Sequence, residues 1–288
     1  SLGILDRYKM TNNNSFRNPT LSAEIGMAIL AVFIICAIFA PVIAPFGEAE
    51  SVGKTWLGPS SKFWLGTDNI GRDMLSRVIY GARMTLGVAA ICTCLSFLIG
   101  VTMGLLAAVA GKIIDQVLSR FVDLMLSIPI LVFALMILSM FGSSLLTLII
   151  TIGVLDSFRV FRLARSIAVN VVVTEFVEVA RLRGEGLWWI MRREVLPNSL
   201  PPMIAEFGLR FCFNFLFVAS LSFLGLGIQP PFADWGGMVR ESGRAISFGI
   251  PAPLWPALAI GLTTISVNMI VDWILSINAR PSGASAEM

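Results

Sequence analysis

The sequence has no histidine in its 288 residues, and only 14% of them are charged. Without histidine no Ser/His/Asp or Cys/His set can form, and a protein-built zinc or haem site lacks its commonest ligand. HExxH and paired-carboxylate clusters are missing too, so the chain reads as non-catalytic and without a bound cofactor or metal. The shortage of charge constrains more. A soluble domain carries about 25% charged residues. This chain is 56% hydrophobic, with a mean hydropathy of +0.84, and cannot cover a water-facing surface. Cysteines number four (Cys36, Cys92, Cys94 and Cys212), all within apolar runs. They are expected to be buried free thiols, and the CxC spacing of Cys92 and Cys94 fits neither a redox pair nor zinc. The net charge of +3 is small and dispersed, which argues against nucleic acid.

What is present is a series of long apolar runs. Residues 25–47, 84–111, 124–155, 211–233 and 245–271 contain no Asp, Glu, Lys or Arg. A run of about 18 or more such residues reads as a membrane-spanning helix. The run 124–155, 32 residues long, would make a helix of about 48 Å against a hydrocarbon core of about 30 Å. Gly142-Ser143-Ser144 is the natural turn within it. The expectation is therefore an all-α, polytopic membrane protein with six transmembrane helices, at about 24–45, 84–110, 120–141, 145–168, 204–228 and 254–276. The first run is read as a retained helix, not a cleaved signal.

Six spans put both termini on one side. With the termini in the cytoplasm, thirteen basic residues fall inside (Arg7, Lys9, Arg17, Lys112, Arg120, Arg159, Arg162, Arg165, Arg181, Arg183, Arg192, Arg193 and Arg280) and seven outside (Lys54, Lys62, Arg72, Arg77, Arg83, Arg240 and Arg244). This bias follows the positive-inside rule. Residues 1–23 then form a cytoplasmic segment and 24–288 a single transmembrane domain. The outer segments are 46–83 and 229–253, and the long inner loop is 169–203.

That inner loop reads TEFVEVARLRGEGLWWIMRREVLPNSLPP over 174–202. A short helix is expected from Thr174 to Arg183, with Phe176, Val177 and Ala180 on one face. Gly184 and Gly186 can stop it, and a second helix, Leu187 to Val195, would be ended by Pro197, Pro201 and Pro202. Composition alone fits a docking surface and an interfacial helix about equally.

The loop resembles the EAA motif of ABC importer permeases. Glu178-Val179-Ala180 supplies its start, Gly184 its glycine, and Leu196-Pro197 its close; Val179 and Glu194 depart from the pattern. WLGTDNIGRDMLSRVIYGARMTL (64–86), RFVDLMLSIPILVFAL (120–135) and ASLSFLGLGIQPPFADWGGMV (219–239) resemble the peptide/nickel/opine permeases, closest to the C-type subunit of dipeptide and oligopeptide importers. The resemblance implies a type I ABC importer permease fold in the bacterial inner membrane. It implies a second homologous permease, one or two ATPase subunits that handle ATP and Mg, and an extracytoplasmic binding protein. It also implies that Glu178, Ala180, Arg181, Gly184, Glu185, Arg192, Leu196, Pro197 and Asn198 form the ATPase-coupling loop.

Other signals are weaker. Gly53-Lys54-Thr55 lacks the leading glycine of a phosphate-binding loop, since Glu48 holds that place. Gly100 and Gly104 form GxxxG and suit close helix packing. Glu206 and Arg210 lie four apart and can pair. They form, with Asn214, Ser220 and Ser222, a candidate translocation path, although a purely stabilising ion pair fits the first two as well. Asp123, Asp156 and Asp272 read as interfacial. The competing class is an ion-coupled secondary transporter, which would show broken helices, inverted repeats and buried relays. Within the resembling family, an opine or metal-chelate importer is the alternative to a peptide importer.

Overall fold

The structure is a computed structural model that describes residues 19–278. Most of the expected N-terminal segment, and Arg280, lie outside the described residues. The described residues are mostly helical, with irregular stretches at 44–73 and 224–234, and hold no strand beyond the isolated bridges Ser51–Arg72 and Thr67–Asp73.

Helix α1 spans Leu21–Ile38 and is capped by Thr20, whose hydroxyl accepts from the Ala23 N–H. After a break at Phe39 a single turn, α2, covers Ala40–Ile43. Helix α3, Met74–Val109, has 36 residues, about 54 Å of helix. It starts ten residues before the charge-free run because Asp73 caps it, accepting from the Ser76 N–H at 2.8 Å. Helix α6, Leu145–Val172, packs along it more extensively than any other pair. Glycine makes this approach possible: a Cβ on Gly100 would lie 2.6 Å from the Ser157 carbonyl oxygen, and one on Gly104 2.8 Å from Ala164.

Two sequence expectations need correction. The span expected at 120–141 is two helices, α4 (Lys112–Leu126) and α5 (Ile130–Phe141), bent by 83°. Pro129 lacks an N–H and pushes Ile128 out of the helical region, so the helix breaks there. Conversely, Pro197, Pro201 and Pro202 do not end the second loop helix. Helix α8 (Leu187–Ile190) runs through a π turn, Met191–Val195, into α9 (Leu196–Phe223). Pro197 falls directly after the π turn, in the first turn of α9. Beyond it, the fixed φ of proline is already helical, and α9 continues past the other two. The remaining helices are α7 (Glu175–Leu182), α10 (Trp235–Ser242) and α11 (Leu254–Asn278).

Among the described residues, α1, α3, the α8–α9 unit and α11 are long and apolar enough to cross a membrane, and the bent α4–α5 pair brings the number to five. Helix α6 has 28 residues but carries Asp156 near its middle and Arg159, Arg162 and Arg165 in its second half. All four cysteines are free; Cys92 and Cys212 are buried as expected, whereas Cys94 is exposed.

Candidate functional site

At one end of the bundle, α6 hands over to α7 through Thr174. Val177 and Ala180 of α7 are fully buried, while Phe176, expected on the same face, is 41% exposed. The helix closes on Gly184, which has φ +79°. The Gly184 N–H bonds to the Arg181 carbonyl at 2.9 Å and the Glu185 N–H to the Ala180 carbonyl at 3.2 Å. This pair of bonds is the Schellman arrangement, which a residue in the left-handed region makes possible. Gly186, by contrast, is extended and opens α8. Val177, Ala180, Ile190, Met191 and Val195 pack on Leu105 and Val109 of α3, with Ala164 and Ala168 of α6 completing the cluster. The loop is thus seated on the ends of the two tightly joined helices.

Its other face carries large apolar side chains in the open: Leu182 is 82% exposed, Trp188 65% and Val179 52%. Glu178, Arg181, Arg192, Pro197 and Asn198 are exposed beside them, and Leu196 and Glu185 are half-buried. The Asn198 amide donates to the Glu194 carbonyl at 2.6 Å, and the Ser199 hydroxyl to that of Val195 at 2.8 Å. These bonds steady the π turn.

A second cluster lies midway along α3, α6 and α9. The expected pair forms: the Arg210 Nε donates to Glu206 at 2.6 Å. Arg210 also reaches Asp156 at 3.5 Å. Asp156, expected at an interface, is fully buried. The Asn214 amide donates to Asp156 and to the Thr93 hydroxyl, each at 3.1 Å. The physical reason for the misplacement is depth: Asp156 lies eleven residues into α6 (145 to 156), about 17 Å from its start. That depth was the signal that could have found it. Ser220 and Ser222 do not join this cluster. The Ser222 hydroxyl turns back to accept from the Ile228 N–H at 3.1 Å, and Ser220 lines an apolar cleft with Phe223 and Val239.

At the opposite end, the 46–73 segment and the 229–253 segment are tied together. Asp68 accepts from Arg72 and Arg77, each at 2.6 Å, and Glu241 from the same two, at 2.8 and 2.9 Å. Burial alone would raise the Asp68 carboxyl, but the N–H groups of Arg72 and Ile70 and the two guanidinium charges hold it below its ordinary value. The Glu48 carboxylate accepts from the Ala233 N–H at 2.9 Å, and the buried Trp235 ring donates to the Val78 carbonyl at 2.9 Å. Asp234 caps α10 through the Gly236 and Gly237 N–H groups. Burial pushes its carboxyl up to about 6, against the pull of those N–H groups and of the Ser222 hydroxyl. Gly66, Gly71 and Asp68 of the GTDNIGRD stretch are therefore parts of a folded cap. Sequence gave no sign that Glu241 completes it.

Several apolar helices, an intramembrane polar cluster and a helix–Gly–helix loop seated on one end define a multi-pass membrane permease. Residues 100–280 match the family described as binding-protein-dependent transport system inner membrane component, and 17–55 match the N-terminal TM domain of oligopeptide transport permease C. The chain is 37% identical to a dipeptide transport system permease protein of Alkalihalophilus pseudofirmus, over 87% of this chain and 83% of that one. It is 33% identical to a di/tripeptide transport system permease protein of Pseudomonas aeruginosa, over 86% and 84%. Among solved structures, an amino acid ABC transporter shares the fold with a TM-score of 0.52 at 20% identity, over 69% of this chain and 92% of that one. The chain belongs to the family of inner-membrane components of binding-protein-dependent transport systems.

Proposed function

We propose that this permease is the C-type half of an importer for di- or oligopeptides, crossing the membrane six times with α6 as one of the spans and with both termini in the cytoplasm. Its partners are a second homologous permease, one or two ATPase subunits, and a binding protein that delivers solute to the cap formed by 46–73 and 229–253. ATP and Mg are handled by the ATPases. One observation carries this reading: the 175–195 loop is rigidly closed by its Schellman turn and seated on α3 and α6, yet leaves Leu182, Val179 and Trp188 exposed. Exposed apolar groups rimmed by charge mark a protein-binding surface. A moving ATPase that grips this face would rock α3 and α6 as one body, because their glycine contacts leave no room for sliding. The names of the relatives favour peptide as the solute.

Reconstitution tests this. Proteoliposomes holding both permeases and the ATPases should take up peptide when binding protein and ATP are supplied, and those holding this chain alone should not. Uptake by the chain alone would overturn the reading. Orientation is checked in a cysteine-free background: Cys at Ser51 or Ser247 should be labelled from outside the cell, and Cys at Arg181 should not. All three positions are exposed.

A further inference from the structure

In the polar cluster Glu206 is hydrogen-bonded to Arg210 at 2.6 Å, while Asp156 stands 3.5 Å from Arg210 and also feels the charge of Arg159, three residues on along α6. Arg165, nine residues or two and a half turns beyond Asp156 on α6, is paired with Asp115 of α4. Arg159 differs: it makes no ion pair or hydrogen bond among the described residues. It sits fourteen residues into α6 (145 to 159), about 21 Å along the helix, which on the six-span reading proposed above falls within a hydrocarbon core of about 30 Å. A cation at that depth is tolerated only where it faces the bundle interior or a wet cavity.

Arg159 faces the bundle interior. Its guanidinium lies over the Phe213 ring, 4.5 Å from the centroid, with Arg210 5.8 Å from the same ring. It also lines a partly enclosed cavity of about 110 Å³ at the α4–α5 bend, beside Leu126, Pro129, Phe133 and Phe158. Every other side chain lining that cavity is apolar, so it holds one positive charge and no acid. A guanidinium pre-oriented by an aromatic face and left with its N–H donors unused fits a planar carboxylate. The cavity has room for a carboxylate and the few atoms next to it.

We infer that Arg159 is a contact site for the carboxylate of the solute in transit, which for a peptide is its C-terminus. The inference rests on the peptide reading above. Glu206 and Asp156 hold Arg210, and Arg159, with no ion pair within 4 Å among the described residues, is the charged group that lines the cavity and engages the solute.

The test uses the complete importer in proteoliposomes, with a dipeptide bearing a free C-terminal carboxylate and the same dipeptide as its C-terminal amide. Each is supplied at a concentration that saturates the isolated binding protein. Arg159→Gln should assemble normally and keep ATP hydrolysis stimulated by loaded binding protein. It should lower uptake of the free-carboxylate peptide about tenfold relative to the amide, the scale of one charged hydrogen bond. Arg159→Lys should recover most of that loss. Equal effects on both peptides, or no effect, would overturn the inference while leaving the peptide reading intact. Loss of assembly in Arg159→Gln, with Arg159→Lys intact, would assign the arginine to an acid of the second permease and overturn it as well. If the wild-type importer carries neither peptide, the peptide reading itself fails, and the inference fails with it.

Discussion

At the 46–73 cap, Asp68, Arg72, Arg77 and Glu241 satisfy one another, and Trp235 is fully buried. At the 175–195 loop, Arg181 and Arg192 point outward and Trp188 is 65% exposed. Both regions are rich in charge, glycine and tryptophan, and by composition they look alike. The difference lies in where their bonding capacity goes. The cap turns it inward and binds two distant segments into one body. The loop keeps only a narrow apolar seam inward, around Val177 and Ala180, and presents the rest. A region of the first kind fails by unfolding, and one of the second kind fails by losing its partner.

The largest effect should come from Asp68→Ala. It would leave two buried guanidinium groups with half their compensation, a loss of about 3–5 kcal/mol. Thermal unfolding in detergent should show a large drop in Tm and a low yield of folded chain; a near-native Tm would show that the cap is not held by its charges. Trp188→Ala sharpens the contrast from the other side. Its stability change should stay within about 0.5 kcal/mol, while ATPase association weakens by about 2 kcal/mol, near thirtyfold. Co-purification against Tm separates the two, and a fall in Tm with association intact would merge the two regions.

Gly184 gives a smaller effect of the same kind. Nothing lies within 4 Å of a Cβ built there, so the penalty is conformational, not steric. It amounts to about 1 kcal/mol. Gly184→Leu should insert and fold, yet reduce coupled transport per assembled complex; wild-type coupling would show that the loop angle does not matter.

A pH test of the comparison concerns Asp234 in the cap. Its carboxyl is raised from 3.8 to about 6 in the folded chain, so the folded state holds its proton more tightly than the unfolded one. The resulting stability is fully present below about 4 and is lost as pH rises through about 6. Asp234→Asn, which keeps a good helix cap, should flatten stability between those limits. An unchanged slope would place the titration elsewhere.

Periodicity and cap chemistry made much of this legible in advance. The apolar runs marked the long helices, Gly142 to Ser144 the turn, Gly184 the left-handed stop, and the spacing of Glu206 and Arg210 their contact. The prolines misled, because the same residue breaks a helix at Pro129 and sits within one at Pro201 and Pro202. Sequence alone did not decide which outcome holds.

Sequence by itself determined that the chain is a helical membrane protein, since a charge-poor surface can be covered only by lipid, and that its 174–202 loop turns on a glycine. Those properties are local: each follows from a run of about 20 residues or fewer and its own backbone. Tertiary structure decided which charges spend themselves within the chain. Asp156 finds Asn214 across 58 positions, and Arg72 finds Glu241 across 169. Arg159 stays unpaired one turn away from Asp156. The reason is geometric: an ion pair needs contact within about 4 Å, and such contacts between distant segments are set by the packing of α3, α6 and α9, not by spacing along the chain.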